Sequence, residues 1–129
     1  ARVVAERGFS VAYESASAAR GAFETQRFSR DTAEGESAAS RVREYLGCDL
    51  MILDDLGTEM VTSFSVSALY QLVNTRLGAG RQTIISTNAG FDELARKYGP
   101  QIMSRLEGEY LLLPFSGRDI RLLRKERGI

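Results

Sequence analysis

Short runs of apolar residues recur along this chain and alternate with stretches of helical periodicity, and this alternation narrows the possible folds more than any other feature. The clearest runs are "LMIL" at residues 50–53, "QTIIST" at 82–87 and "YLLLPF" at 110–115. Short continuous apolar runs suit strands buried on both faces, as the strands of a parallel sheet are. Between the first two, Val66, Leu69, Tyr70, Val73 and Leu77 fall at helical spacing over residues 63–77, with Gly78 and Gly80 after them as stop signals. Strands that alternate with helices predict an α/β fold, three layers built around a mostly parallel sheet.

The other segments fit the same alternation. "ARVVAERG" reads as the tail of a helix closed by Gly8, and "FSVAY" at residues 9–13 as a strand. Residues 15–28 are Ala-rich and helical, "DTAEGESAAS" reads as a polar loop, and a second helix is expected over 40–46. Asn88-Ala89-Gly90 forms a turn into a helix over 91–98, and Pro100 suits the first turn of another helix reaching Arg105 or Leu106. After the last strand, Gly117 precedes a basic closing helix. The 129 residues, 43% of them hydrophobic, suffice for one domain with a sizeable core.

Composition excludes several chemistries. Without histidine and with Cys48 as its one cysteine, the chain cannot build the familiar structural zinc sites, a His-based triad or a disulfide framework. A reducing, cytoplasmic setting is expected. Seventeen basic and seventeen acidic residues cancel, so binding to nucleic acid must be local. No apolar run approaches the roughly 20 residues that span a bilayer, and no membrane partner is expected.

The candidate chemistry lies in "LMILDDLGTE", where a buried strand ends in two adjacent acids, Asp54 and Asp55. In parallel α/β sheets ligands bind beyond the carboxyl ends of the strands, and Asn88 falls at the end of the next strand. Thirty-four residues separate Asp54 from Asn88, room for one right-handed crossover that brings both into one crevice. Neighbouring side chains on a strand point to opposite faces, so one acid can face a cation such as Mg²⁺ and the other a neighbouring pocket. The alternative is a solvated Asp-Asp-Leu-Gly turn and an Asn acting as a turn former.

These residues carry a resemblance. "LMILDDLGTE" resembles the Walker B element of the AAA+ ATPases, and "TIISTN" their first sensor strand. "YGPQIMSRLEGEY" and "FSGRDIRLLRK" resemble the arginine-finger and second-sensor segments of DnaC-type bacterial helicase loaders, with the IstB-like transposition helper ATPases next. The likeness covers nearly all of residues 1–129, as a partial AAA+ domain with a P-loop NTPase core. It implies that Asp54 holds Mg²⁺ through water, that Asp55 polarises the attacking water, and that Asn88 positions that water near the γ-phosphate of ATP. Asp55 is one methylene shorter than the Glu common at its position. The resemblance makes Arg105 a finger that reaches the nucleotide of a neighbouring subunit, which implies self-association through that interface. It makes Arg121 a second sensor for the phosphates. Loaders grip single-stranded DNA through residues inserted between the second and third strands, here 15–46, where Arg20, Phe23, Arg27, Phe28 and Arg30 interleave charge with aromatic rings. The alternative has the Phe rings capping the core and the Arg side chains in water.

No Gly-rich loop ending in Gly-Lys-Ser or Gly-Lys-Thr occurs in these residues. The expectation is a chain truncated at its amino terminus, with the phosphate loop and first strand upstream of Ala1. The family's sheet order, 5-1-4-3-2, would then leave the edges of the "QTIIST" and "YLLLPF" strands unpaired. The function implied is that of an ATP-dependent loader of a replicative helicase. The rivals are a transposition helper and a non-catalytic interaction module.

Overall fold

The computed structural model describes residues 6–57, 61–114 and 120–124, with residues 112–114 and 120–124 described through their backbone. Its elements run β1 (Val11–Ser15), α1 (Ala16–Phe28), α2 (Ala33–Gly47), β2 (Leu50–Leu56), α3 (Ser63–Gly78), β3 (Gln82–Thr87), α4 (Phe91–Tyr98), α5 (Pro100–Glu109), β4 (Tyr110–Pro114) and β5 (Ile120–Arg124). β1, β2 and β3 are parallel, and the five strands lie in the order β1-β2-β3-β5-β4. The fold is α/β, as the alternation predicts. Of the expected opening helix, residues 1–5 lie outside the described residues.

The helices start where the chain supplies a cap. Ser15, Thr32 and Thr62 each accept a backbone N–H from the first turn of α1, α2 and α3, and at Thr62 the Ser65 side chain returns the bond to complete a capping box. α2 begins well before residue 40, so the polar stretch is helix rather than loop. Gly35 explains the misreading, because it resembles a loop residue but serves a close approach. A Cβ there would lie 1.8 Å from the Ser29 carbonyl oxygen.

Two further expectations are corrected. Residues 120–124 form a strand and not the basic closing helix, and β5 lies antiparallel between β3 and β4. The edges expected to be bare are therefore paired. A strand edge offers a row of unmet N–H and C=O groups, and the backbone of the "IRLLR" segment satisfies both neighbours. β5 thus occupies the position that the order 5-1-4-3-2 gives to the first strand.

The core lies on the sheet face carrying Ala12, Met51, Leu53 and Ile85, under Ala19, Phe23, Leu69 and Leu72 of α1 and α3. The opposite face carries exposed Tyr13 and half-buried Ile52 and Ile84. Buried Tyr45 of α2 donates a hydrogen bond to Glu14 Oε2 at 2.9 Å. Burial, and then the Glu14 carboxylate, push its pKa up to about 12. The fold therefore favours the protonated phenol, and this stabilisation is complete below the unfolded value near 10 and lost as the pH rises through about 12. An alkaline absorbance titration is expected to show a late tyrosine phase that Tyr45→Phe removes.

Candidate active site at the carboxyl ends of the strands

Parallel pairing puts the ends of β1, β2 and β3 at one edge of the sheet, with Ser15 opposite Asp54 and Leu56 opposite Thr87. Asp54 is half-buried there. Its carboxylate accepts a hydrogen bond on Oδ2 from the Tyr13 hydroxyl at 2.7 Å, and one on Oδ1 from Ser86 Oγ. The two hydroxyl donors fix the plane of the carboxylate. Asp49, at the opposite end of β2, is held below the usual carboxylate range by the Ser10 backbone N–H and by the Ser10 hydroxyl and Arg81.

Asp55 departs from simple strand geometry. The register steps from Leu53 opposite Ile85 to Leu56 opposite Thr87, so β2 carries one extra residue and bulges. Asp55 sits in that bulge with φ 57°, the left-handed region that Asp tolerates better than most residues. Its N–H donates to Ser86 Oγ at 3.2 Å. β2 thus departs at Asp55 from the plain alternation expected.

The next residues hold the two strand ends together. Thr87 Oγ1 donates to the Leu56 carbonyl at 2.5 Å and accepts the Ala89 N–H at 3.0 Å. Lys97 of α4 donates to the Gly57 carbonyl at 2.5 Å. Gly57 has φ +99° and packs against Ala89 and Leu94, so the chain leaving β2 is tied to the turn after β3. Asn88 follows directly and is exposed, at the same edge as Asp54 and Asp55. Because β2 and β3 pair in parallel, the three residues stand at the same edge of the sheet.

Arg105 lies apart, exposed on α5. That helix continues through Glu109, so Arg105 is not in its last turn, and the helix-dipole explanation for a terminal Arg no longer applies. Among the described residues Arg105 makes no ion pair. The backbone of Arg121 in β5 pairs with Ser86, next to the site, while its side chain lies outside the described residues.

The five residues expected on DNA divide. Phe23 is 5% exposed and belongs to the core, so its ring is unavailable for stacking. Arg20 pairs with Glu24 one turn along α1 at 2.8 Å. Arg27 lies over the rings of Phe28 and Phe64, 5.7 Å from each centroid. Arg27 and Arg30 line an open groove of about 610 Å³ between α1, α2 and the start of α3, with Phe64 on its wall. Phe64 escaped the sequence reading because it lies outside residues 15–46. Tyr13 and Ser86 escaped it too, although both stand near the carboxyl ends of strands.

The fold has known counterparts. A crystal structure of a DNA replication initiation factor matches with a TM-score of 0.68 at 20% identity, covering 83% of this chain and 31% of that one. DnaA from Aquifex aeolicus with AMPPCP bound matches with a TM-score of 0.62 at 22% identity, covering 83% of this chain and 32% of DnaA. The chain has the AAA+ fold. In sequence it is 29% identical over 73 residues to the uncharacterized protein YdaV of Escherichia coli strain K12, covering 57% of this chain and 29% of YdaV. No protein-family model matches. The chain spans less than a third of the length of each of these three proteins.

Among the described residues, no group of three or more Cys, Asp or Glu side chains could hold a metal ion, and no helix is long and apolar enough to cross a membrane. One well-ordered carboxylate suits the case in which Mg²⁺ arrives on nucleotide phosphates and keeps several waters. Asp54, with both oxygens accepting hydroxyl protons, fits that description.

Proposed function

We propose that these residues are the core of an ATPase that loads a replicative DNA helicase, acting as an oligomer with ATP at subunit boundaries. The observation that carries the reading is the meeting of Asp54, Asp55 and Asn88 at the carboxyl ends of two adjacent parallel strands of an AAA+ fold. Asp54 would hold Mg²⁺ through water, and Asp55, carried on the bulge, would polarise the attacking water. Asn88 orients that water at the γ-phosphate. The metal, when bound, neutralises charge on the phosphates. Arg105 and Arg121 complete the phosphate contacts, the first from a neighbouring subunit. Arg27, Phe28 and Arg30, with Phe64, offer charge and aromatic surface suited to single-stranded DNA.

The reading requires a phosphate loop outside these 129 residues, because none lies within them. It also requires that loop's strand to take the place between β3 and β4 where β5 lies here. The likeness to DnaA with AMPPCP bound and to a replication initiation factor supports both the nucleotide and the replication setting.

The test is ATP turnover by the full-length protein with and without Asp55→Asn. Loss of a positioned base lowers such rates by about 10² to 10⁴, and a fall in that range is expected. Turnover absent from every form would support the interaction module. Capture of a transposase in place of a replicative helicase would favour the transposition helper.

A further inference from the structure

Tyr13 is 64% exposed, yet its hydroxyl is committed to the half-buried Asp54 at 2.7 Å. The parallel register explains the reach. Tyr13 stands opposite Ile52 and Ser15 opposite Asp54, so Tyr13 and Asp54 are diagonal neighbours on one sheet face, a separation that a long aromatic side chain can bridge. From the other side Ser86 Oγ donates to the second oxygen while accepting the Asp55 N–H at 3.2 Å. One carboxylate is therefore gripped by hydroxyls from both flanking strands, one on each oxygen. The bond through Ser86 also ties its orientation to the bulge at Asp55.

We infer that Tyr13 is a positioning residue for the metal carboxylate, its phenol fixing the plane in which Asp54 meets the cation. The inference rests on the ATPase reading and extends it to β1, a strand to which that reading gave no role. Outer-shell groups that orient the surroundings of a bound metal are worth about 10- to 100-fold in metal affinity, and an exposed phenol that shares with Ser86 the orienting of a carboxylate acting through water belongs near the lower figure, about tenfold.

The experiment uses the full-length protein saturated with ADP and follows binding of Mn²⁺, a paramagnetic substitute for Mg²⁺, by electron paramagnetic resonance. Tyr13→Phe is expected to weaken Mn²⁺ binding about tenfold, with the melting temperature and the metal-free affinity for ADP unchanged. Because Tyr13 is exposed, the substitution leaves the core intact. Asp54→Asn is measured alongside. If Asp54→Asn weakens Mn²⁺ binding but Tyr13→Phe leaves it unchanged or tightens it, the inference is overturned and the ATPase reading stands. If Asp54→Asn binds Mn²⁺ as tightly as the parent, both are overturned.

Discussion

Arg76→Met is expected to lower the unfolding free energy of the full-length protein by about 2 to 3 kcal/mol, the cost of leaving buried carbonyl acceptors without their charged donor. Arg76 is wholly buried, and burial pushes its pKa down. Neutral acceptors surround its guanidinium. Nε donates to Thr83 Oγ1 at 2.8 Å, Nη1 to the carbonyls of Tyr45 and Cys48 at 2.8 Å each, and Nη2 to the Gln82 carbonyl at 2.6 Å. Tyr45 and Cys48 lie at the carboxyl end of α2, where carbonyls lack partners within the helix and a cation meets the negative end of the helix dipole. One side chain thus joins the end of α2, the end of α3 and the start of β3.

Methionine fills much of the same volume but leaves those acceptors short of donors, so the loss is chiefly one of hydrogen bonding. Lysine keeps the charge without the planar fork and is expected to recover little. The comparison is Arg81→Ala at the half-exposed pair with Asp49, 3.0 Å apart, where solvent screening leaves a much smaller loss. Urea unfolding measures all three. A change under about 1 kcal/mol for Arg76→Met would show that the network contributes little beyond its packing.

Arg76 also shows how far the sequence could be read. It falls at helical spacing from buried Leu69, Leu72 and Val73, but an arginine reads as a solvent-facing residue and its acceptors come from segments distant in sequence, so neither its burial nor its partners were legible. Four of the five strands and most helices were legible because period and length decide them locally, as in β3, α4 and the start of α5. The start of α2 was missed because Gly35 and its polar neighbours match a loop, and the carbonyl that demands a glycine belongs to another turn of chain. β5 was missed because Leu and Arg favour helices in isolation, and pairing with β3 and β4 overrides that preference.

The site divides in the same way. Asp54, Asp55 and Asn88 could be placed together from strand ends and one crossover. The bulge could not, because an extra residue in β2 is defined only against its partner strand. Phe23 and Phe28 look alike in the sequence, five residues apart on one helix. The fold buries the first and exposes the second.

Arg105→Ala is expected to lower ATP turnover by about 10³ to 10⁵, the range for residues that complete a phosphoryl-transfer site from a neighbouring subunit. Its melting temperature should match that of the parent protein, because the side chain is exposed and makes no ion pair among the described residues. An exposed arginine with no part in the site would leave both the rate and the melting temperature unchanged. The rate therefore separates the two accounts. Subunit mixing then tests where the arginine acts. If each site takes Asp55 from one subunit and Arg105 from the next, Asp55→Asn and Arg105→Ala chains are each inactive alone. Mixed, they form some interfaces carrying both native residues, and part of the turnover returns. An arginine acting on its own subunit's nucleotide would restore nothing, because every chain in the mixture lacks one of the pair. That outcome would remove Arg105 from the interface and with it the reason for placing ATP between subunits.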